Sequence, residues 1–151
     1  MQSACIFGEV FGGLDCDCRQ QLEKSIELMQ TLGEGVFIYL AQEGRGAGLQ
    51  NKIMAIKLQQ DLEVDTVEAY HHLGLSSDSR DYSDAANILK YLGITRIKLL
   101  TNSPHKEQSL LMEGIDITEV IPLQPTVTQH NFPELITKLK KFGHRISLDN
   151  N

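Results

Sequence analysis

Tryptophan is absent, and five phenylalanines and four tyrosines make up only 6% of the 151 residues. Little is therefore offered for stacking the bases of a single strand. Positive charge is also in deficit: 14 lysines and arginines stand against 20 aspartates and glutamates, a net charge of −6. Without a basic field no nucleic-acid partner is expected, although a few local cations are enough to hold a phosphorylated small molecule. No apolar run approaches the roughly 20 residues of a membrane span, so no membrane association is expected. The opening stretch, residues 1–10, has the pattern of neither a secretory signal nor a transit segment, which predicts a cytoplasmic location. Internal repeats and low-complexity tracts are missing, as are a Walker motif, a Ser-His-Asp pattern and an H-E-x-x-H helix. What remains, 41% hydrophobic and 23% charged residues, is the make-up of one ordinary globular domain.

Cysteine is scarce too, but all three cysteines fall within the first eighteen residues: Cys5, Cys16 and Cys18. In this C-x10-C-x-C spacing the C-x-C pair aims two thiolates at one centre, and the glycine-containing loop between can bring in the third. Three soft thiolates suit Zn²⁺ and leave a fourth tetrahedral position open, as in a catalytic rather than a structural site. A disulfide with a spare thiol, or three unrelated buried cysteines, are the alternatives. The absence of a secretory pattern disfavours the disulfide.

Apolar periodicity predicts helices over 20–32, about 49–62 with a buried stripe of Leu49, Ile53 and Ile56, and about 84–92 burying Ala85, Ile88, Leu89 and Leu92. Ser103 or Asn102 as cap and Pro104 at the first helical position predict another over about 104–113. Strands are expected at 36–40, 66–70, 96–101 and 117–121, and a last amphipathic helix follows Pro133. The alternation predicts an α/β fold with a mixed sheet flanked by helices. Residues 1–123 form the expected domain, and 124–151 a tail with one helix. In such folds ligands bind at the carboxyl ends of strands, where loops 41–48, 71–82 and 101–106 fall.

Each loop has a functional and a plain reading. In residues 42–48 a glycine-rich turn leads from strand to helix and suits an anion. There Arg45 could clamp a phosphate and Glu43 could accept from a base edge, or both could be solvated charges on a turn. Asp78 and Arg80 form a proton acceptor beside a phosphate-seeking cation; taken alone they read as a surface ion pair. Thr101 to Lys106 is an anion site or a simple helix cap. His71 and His72 could supply a ligand or a base, but a loop histidine pair is more often just exposed.

In combination these stretches resemble a known family. Cys5-x10-Cys16-Asp17-Cys18, Gln21-Leu22-Glu23, Gln42-Glu43-Gly44-Arg45-Gly46, Asn51-Lys52-Ile53, residues 65–69, Leu73-Gly74, Asp78-x-Arg80-Asp81-Tyr82 and Leu99-Leu100-Thr101-Asn102 occur in the order and near-spacing of GTP cyclohydrolase II. The resemblance covers about residues 3–123. It implies a GTP cyclohydrolase II-like fold and a homodimeric zinc enzyme of riboflavin biosynthesis. Such an enzyme opens the imidazole ring of GTP, releasing formate and pyrophosphate, with Mg²⁺ assisting at the triphosphate. By position, Cys5, Cys16 and Cys18 hold the zinc, Arg80 is the nucleophile toward the α-phosphate and Asp78 the proton acceptor. Gln21, Glu43, Gly44, Arg45, Thr66, Thr101 and Lys106 match positions that contact the nucleotide.

The chain departs from that family at five positions: Ala4, Asp15 and Ala41 replace a glutamate and two arginine-type residues, Ile56 a tyrosine, and Tyr70 an asparagine. These departures keep two other functions in view. One is a divergent relative that opens the ring of another purine or pyrimidine nucleotide. The other is a non-catalytic nucleotide-binding homologue.

Overall fold

The computed structural model describes residues 1–149, so the last two residues of the expected tail lie outside the described residues. Two parallel strand pairs organise the chain. In the first, β1 (Gln2–Ser3) lies beside β2 (Tyr39–Leu40). In the second, β3 (Arg96–Leu100) pairs with β4 (Asp116–Ile121), with a register shift between Ile97 and Lys98. Parallel pairing needs a crossover, and helices provide both. Between β1 and β2 run α1 (Ile6–Glu9) and α2 (Cys18–Leu32), and α6 (Pro104–Met112) joins β3 to β4. Between β2 and β3 lie a 3₁₀ turn at Gly44–Gly46, then α3 (Gly48–Leu62), α4 (Thr66–His72) and α5 (Ser83–Tyr91). The chain closes with α7 (Phe132–Phe142). The α/β class holds, with parallel pairing in both ladders.

The main core joins Ile38 and Leu40 from the β2 region to Tyr82, just before α5, and to Ala85, Ala86 and Leu89 of α5, with Leu99, Leu110 and Ile115 beside them. Leu110 and Tyr82 are wholly buried, and full burial of a leucine side chain is worth about 1.5–3 kcal/mol against exposure. A second, smaller core packs Ala55 of α3 on Ala69 and Tyr70 of α4.

Four expectations are corrected. Residues 66–70 are helical, not a strand: the Asp65 side chain accepts from the Glu68 N–H while the Glu68 side chain accepts from the Asp65 N–H. That reciprocal cap starts a helix despite the β-branched residues at 66 and 67. At 36–40 only Tyr39 and Leu40 join a ladder, because β1 offers two residues to pair with. On α3 the small residue Ala55 is the buried one, while Leu49 and Ile53 are exposed; close approach to α4 selects the alanine face. On α5, Ile88 and Leu92 face solvent, and Ala85, Ala86 and Leu89 carry the packing.

Candidate active site

The cysteine loop is folded onto one point. Sγ of Cys5 and Cys16 are 3.7 Å apart, and the three sulfurs all lie within 4.8 Å of one another. Three ligands at Zn–S distances of 2.3 Å on a tetrahedron would be about 3.8 Å apart, so the donor set fits such an ion. All three are free thiols. Gly8 makes the gathering feasible: a Cβ there would meet Cys16 Sγ at 2.9 Å and Cys5 Sγ at 3.4 Å. Hydrogen bonds from Cys16 and Cys18, helped by Lys52, pull the Cys5 thiol down to about 3. The same contacts, with burial, push Cys16 up. Three adjacent thiolates cannot ionise together without a cation among them, and this is the electrostatic demand that a divalent metal meets.

Lys52 and Glu43 tie this loop to the glycine turn. The Lys52 ammonium lies 3.2 Å from Cys5 Sγ and 2.8 Å from the Glu43 carboxylate. Glu43 also accepts from the backbone N–H of Ile6 at 2.6 Å and of Gly44 at 2.8 Å. Burial would raise the Glu43 pKa, but Lys52 and these two donors hold it below the usual carboxylate range. Its hydrogen bonds thus go to the protein rather than to an open base-reading position. Gly44 takes part through its carbonyl, which accepts from the buried hydroxyl of Tyr70 at 2.9 Å.

Arg45 adopts a left-handed conformation (φ 54°, ψ 38°), an uncommon state for a residue with a side chain and one that concentrates at ligand sites. Its guanidinium sits 4.4 Å over the Phe142 ring and donates from Nη2 to Glu134 at 2.7 Å. Nη1 is buried with no partner among the described residues. Thr66 donates to the other oxygen of Glu134, also at 2.7 Å. Glu134, on α7, thereby bridges two residues expected to touch the nucleotide.

Across the cleft, Arg80 and Asp78 form a two-point ion pair, Nε–Oδ1 at 2.8 Å and Nη2–Oδ2 at 2.5 Å. Their side chains are 16% and 12% exposed, which corrects the surface-pair reading. Burial opposes both charges, but each partner stabilises the other: Arg80 is pushed up and Asp78 down. Lys106 is 7% exposed and, among the described residues, donates only to the Met1 carbonyl, at 3.1 Å. Burial, with Arg80 next, lowers its ammonium to about 8. Thr101 is buried, its hydroxyl accepting from the Ser103 N–H at 3.1 Å. Gln21 spends its amide on Asp17, at 2.6 Å.

A cleft of about 340 Å³ is lined by the three cysteines and by Gln21, Glu43, Gly44, Arg45, Thr66, Arg80, Thr101 and Lys106. Asp78 does not line the cleft itself and is tied to it through its ion pair with Arg80. His71 and His72 end α4 exposed and do not line this cleft. Among the lining residues to which the sequence reading gave no role are Lys52, Glu134, Lys138 and His144. Lys138 pairs with Asp17, which is wholly buried between two of the cysteines. A signal for the α7 pair was present: Glu134 and Lys138 stand four residues apart, with Phe142 four further on, so that all three share one face of the helix.

Fold and cleft together define an α/β protein that sets three convergent thiols, a group able to hold a metal ion, against buried cations. A family profile described as GTP cyclohydrolase II matches residues 1–122. The chain belongs to that family. It is 48% identical over 144 residues to GTP cyclohydrolase-2 of Azotobacter vinelandii, covering 95% of this chain and 69% of that protein. It is 49% identical over 146 residues to the riboflavin biosynthesis protein RibBA of Thermotoga maritima, covering 97% of this chain and 37% of the relative. The RibBA protein of Cytophaga hutchinsonii is 45% identical over 146 residues, covering 97% of this chain and 36% of the relative. The chain thus spans little more than a third of the length of these RibBA relatives. Among the described residues no helix is long and apolar enough to cross a membrane.

Proposed function

We propose that the chain opens the imidazole ring of GTP by hydrolysis, releasing formate and pyrophosphate, as a GTP cyclohydrolase II of riboflavin biosynthesis. The observation that carries this reading is one cleft in which three convergent thiols face Arg80 and Lys106. Cys5, Cys16 and Cys18 would hold Zn²⁺, which supplies Lewis acidity toward water and the ring carbon when bound. Arg80 is held by Asp78 through Nε and Nη2, which orients the guanidinium toward a phosphate. For Arg80 to act as a nucleophile it must lose a proton, and Asp78 is the acceptor in hydrogen-bond contact. The mutual stabilisation of that pair favours the charged form at rest, so the transfer belongs to the substrate-bound state. Lys106 is a buried cation without a carboxylate partner among the described residues, suited to the remaining phosphate charge, with Mg²⁺ accompanying the triphosphate. Arg45 offers its unpaired Nη1 as a donor, and Gln21, Thr66 and Thr101 line the same space. Glu43 and Gly44 act by shaping the turn.

A homodimer fits the uncovered stripe of Leu49, Ile53 and Met54 on α3, and the setting is cytoplasmic. A second reading is turnover of a different nucleotide. Ile56 favours it, because it lines the cleft with no hydroxyl to donate. The test is to incubate the zinc-loaded chain with GTP and a panel of other nucleotides while assaying formate and pyrophosphate. Formate from GTP alone establishes the first reading. Turnover of another nucleotide without formate from GTP moves the assignment to the second, and binding without any turnover leaves a nucleotide-binding homologue.

A further inference from the structure

His144 lies outside every motif discussed so far, yet its ring lines the cleft. Gly143 ends α7 in a left-handed conformation (φ 64°) that turns the chain back on itself. The His144 N–H then donates to the Lys138 carbonyl at 3.1 Å. The next N–H, of Arg145, donates to the Asn102 carbonyl at 2.9 Å, in the loop that carries Thr101 and leads to Lys106. Two backbone anchors therefore fix the imidazole between the end of α7 and the start of α6. The charged groups facing it are Lys138 and Asp17 together with Arg80 and Lys106.

Asp17 neutralises Lys138 and Asp78 neutralises Arg80, which leaves Lys106 as the uncompensated charge of the group. Among the described residues no side chain or backbone group hydrogen-bonds the His144 ring, and its Nδ1 is buried. The other ring nitrogen, Nε2, is not among the buried atoms and has no protein partner among the described residues, so it is the nitrogen that a ligand in this cation-lined cleft can reach.

We propose that His144 is a further substrate-contacting residue, donating a hydrogen bond to the polyphosphate of the nucleotide at the corner made by Arg80 and Lys106. The inference rests on the nucleotide reading above and adds to it a residue beyond the stretch matched by the family profile. Burial, with Lys138 next, keeps the ring neutral, pulling its pKa down to about 3. A neutral imidazole still carries one N–H. It can therefore contact a phosphate oxygen without adding a fourth positive charge to a crowded corner.

The test measures affinity for inorganic pyrophosphate, GTP and guanosine on the metal-loaded chain and on His144→Phe and His144→Gln. Phenylalanine keeps the ring's bulk but removes its polar atoms. It should weaken pyrophosphate and GTP binding by about tenfold or more, the scale of a lost hydrogen bond to a charged group. Guanosine affinity, zinc content and melting temperature should stay as in the wild type, and glutamine, with an N–H to donate, should recover most of the loss. Equal weakening for guanosine and GTP, or none for pyrophosphate, overturns the inference and leaves the nucleotide reading standing. A wild-type chain that binds none of the three overturns that reading and the inference with it. If the phenylalanine variant does not fold, the ring-nitrogen resonances of His144 in the wild type decide the matter. They should move when pyrophosphate is added, and unmoved resonances overturn the proposal.

Discussion

Replacing Lys138 by methionine keeps a long apolar stem and deletes the ammonium. Its partner Asp17 has no exposed side-chain surface, and the lysine has 11%. Burial alone would raise the Asp17 pKa, but Lys138 and the Gln21 amide together hold it below the usual range. Without Lys138 the carboxylate keeps the Gln21 contact at 2.6 Å and a weaker contact with its own backbone. A single such hydrogen bond contributes about 1 kcal/mol net, far short of what an unpaired buried charge costs. Breaking a buried pair from one side typically costs about 3–5 kcal/mol. For a chain near this length each kcal/mol moves the midpoint by about 2–4 °C, so the melting temperature should fall by about 6–20 °C. Adding Asp17→Asn removes the stranded charge, and the double variant should regain about 2 kcal/mol of that loss, a coupling expected of residues in direct contact. The assay is thermal and urea unfolding at pH 7 with bound metal held constant. A single variant that loses less than about 1 kcal/mol, or a double variant less stable than the single, refutes the argument.

Three other outcomes are expected. Gly8→Ala should weaken metal binding, because the new methyl group would stand 2.9 Å from Cys16 Sγ; Cys16→Ser should abolish it, and elemental analysis of freshly purified protein reads both. Lys106 has a folded pKa of about 8, lowered from the ordinary 10.5 by burial, so its charge is present below that value and lost above it. Pyrophosphate affinity should therefore fall as pH rises through about 8, and the dependence should flatten in Lys106→Met. The same lowered pKa makes wild-type stability rise with pH between about 8 and 10.5, since there the unfolded chain binds more protons. Ile56→Tyr restores a hydroxyl at a cleft-lining position; general acid–base help is worth about 10²–10⁴-fold, so formate release from GTP should increase, and an unchanged rate would assign Ile56 to packing alone.

Local order was readable from the residues alone wherever a short-range rule governs it. Ser103 followed by Pro104 starts α6, and Gly33 closes α2 in a left-handed turn, both by chemistry contained in a few neighbouring positions. The Asp65–Glu68 capping box was equally local, and the β-branched pair beside it hid the helix. The clustering of Cys5, Cys16 and Cys18 was one of the readings that the spacing allowed, because a C-x-C turn aims two thiols at one centre and a flexible loop can bring in the third. Which face of a helix is buried was a different matter. Leu49 and Ile53 have the right periodicity, yet Ala55 makes the contact, since the distance between α3 and α4 is set by both helices at once. The Asp78–Arg80 pair looked superficial because burial is a property of what lies over it. Above all, Glu134, Lys138 and His144 come from a segment more than ninety residues beyond Arg45 and Asp17 in most cases, and no pattern in the chain states where α7 docks. Only the tertiary structure brings that helix against the cysteine loop, because the long-range match of Lys138 to a buried Asp17 and of Glu134 to Arg45 exists in space and not in sequence.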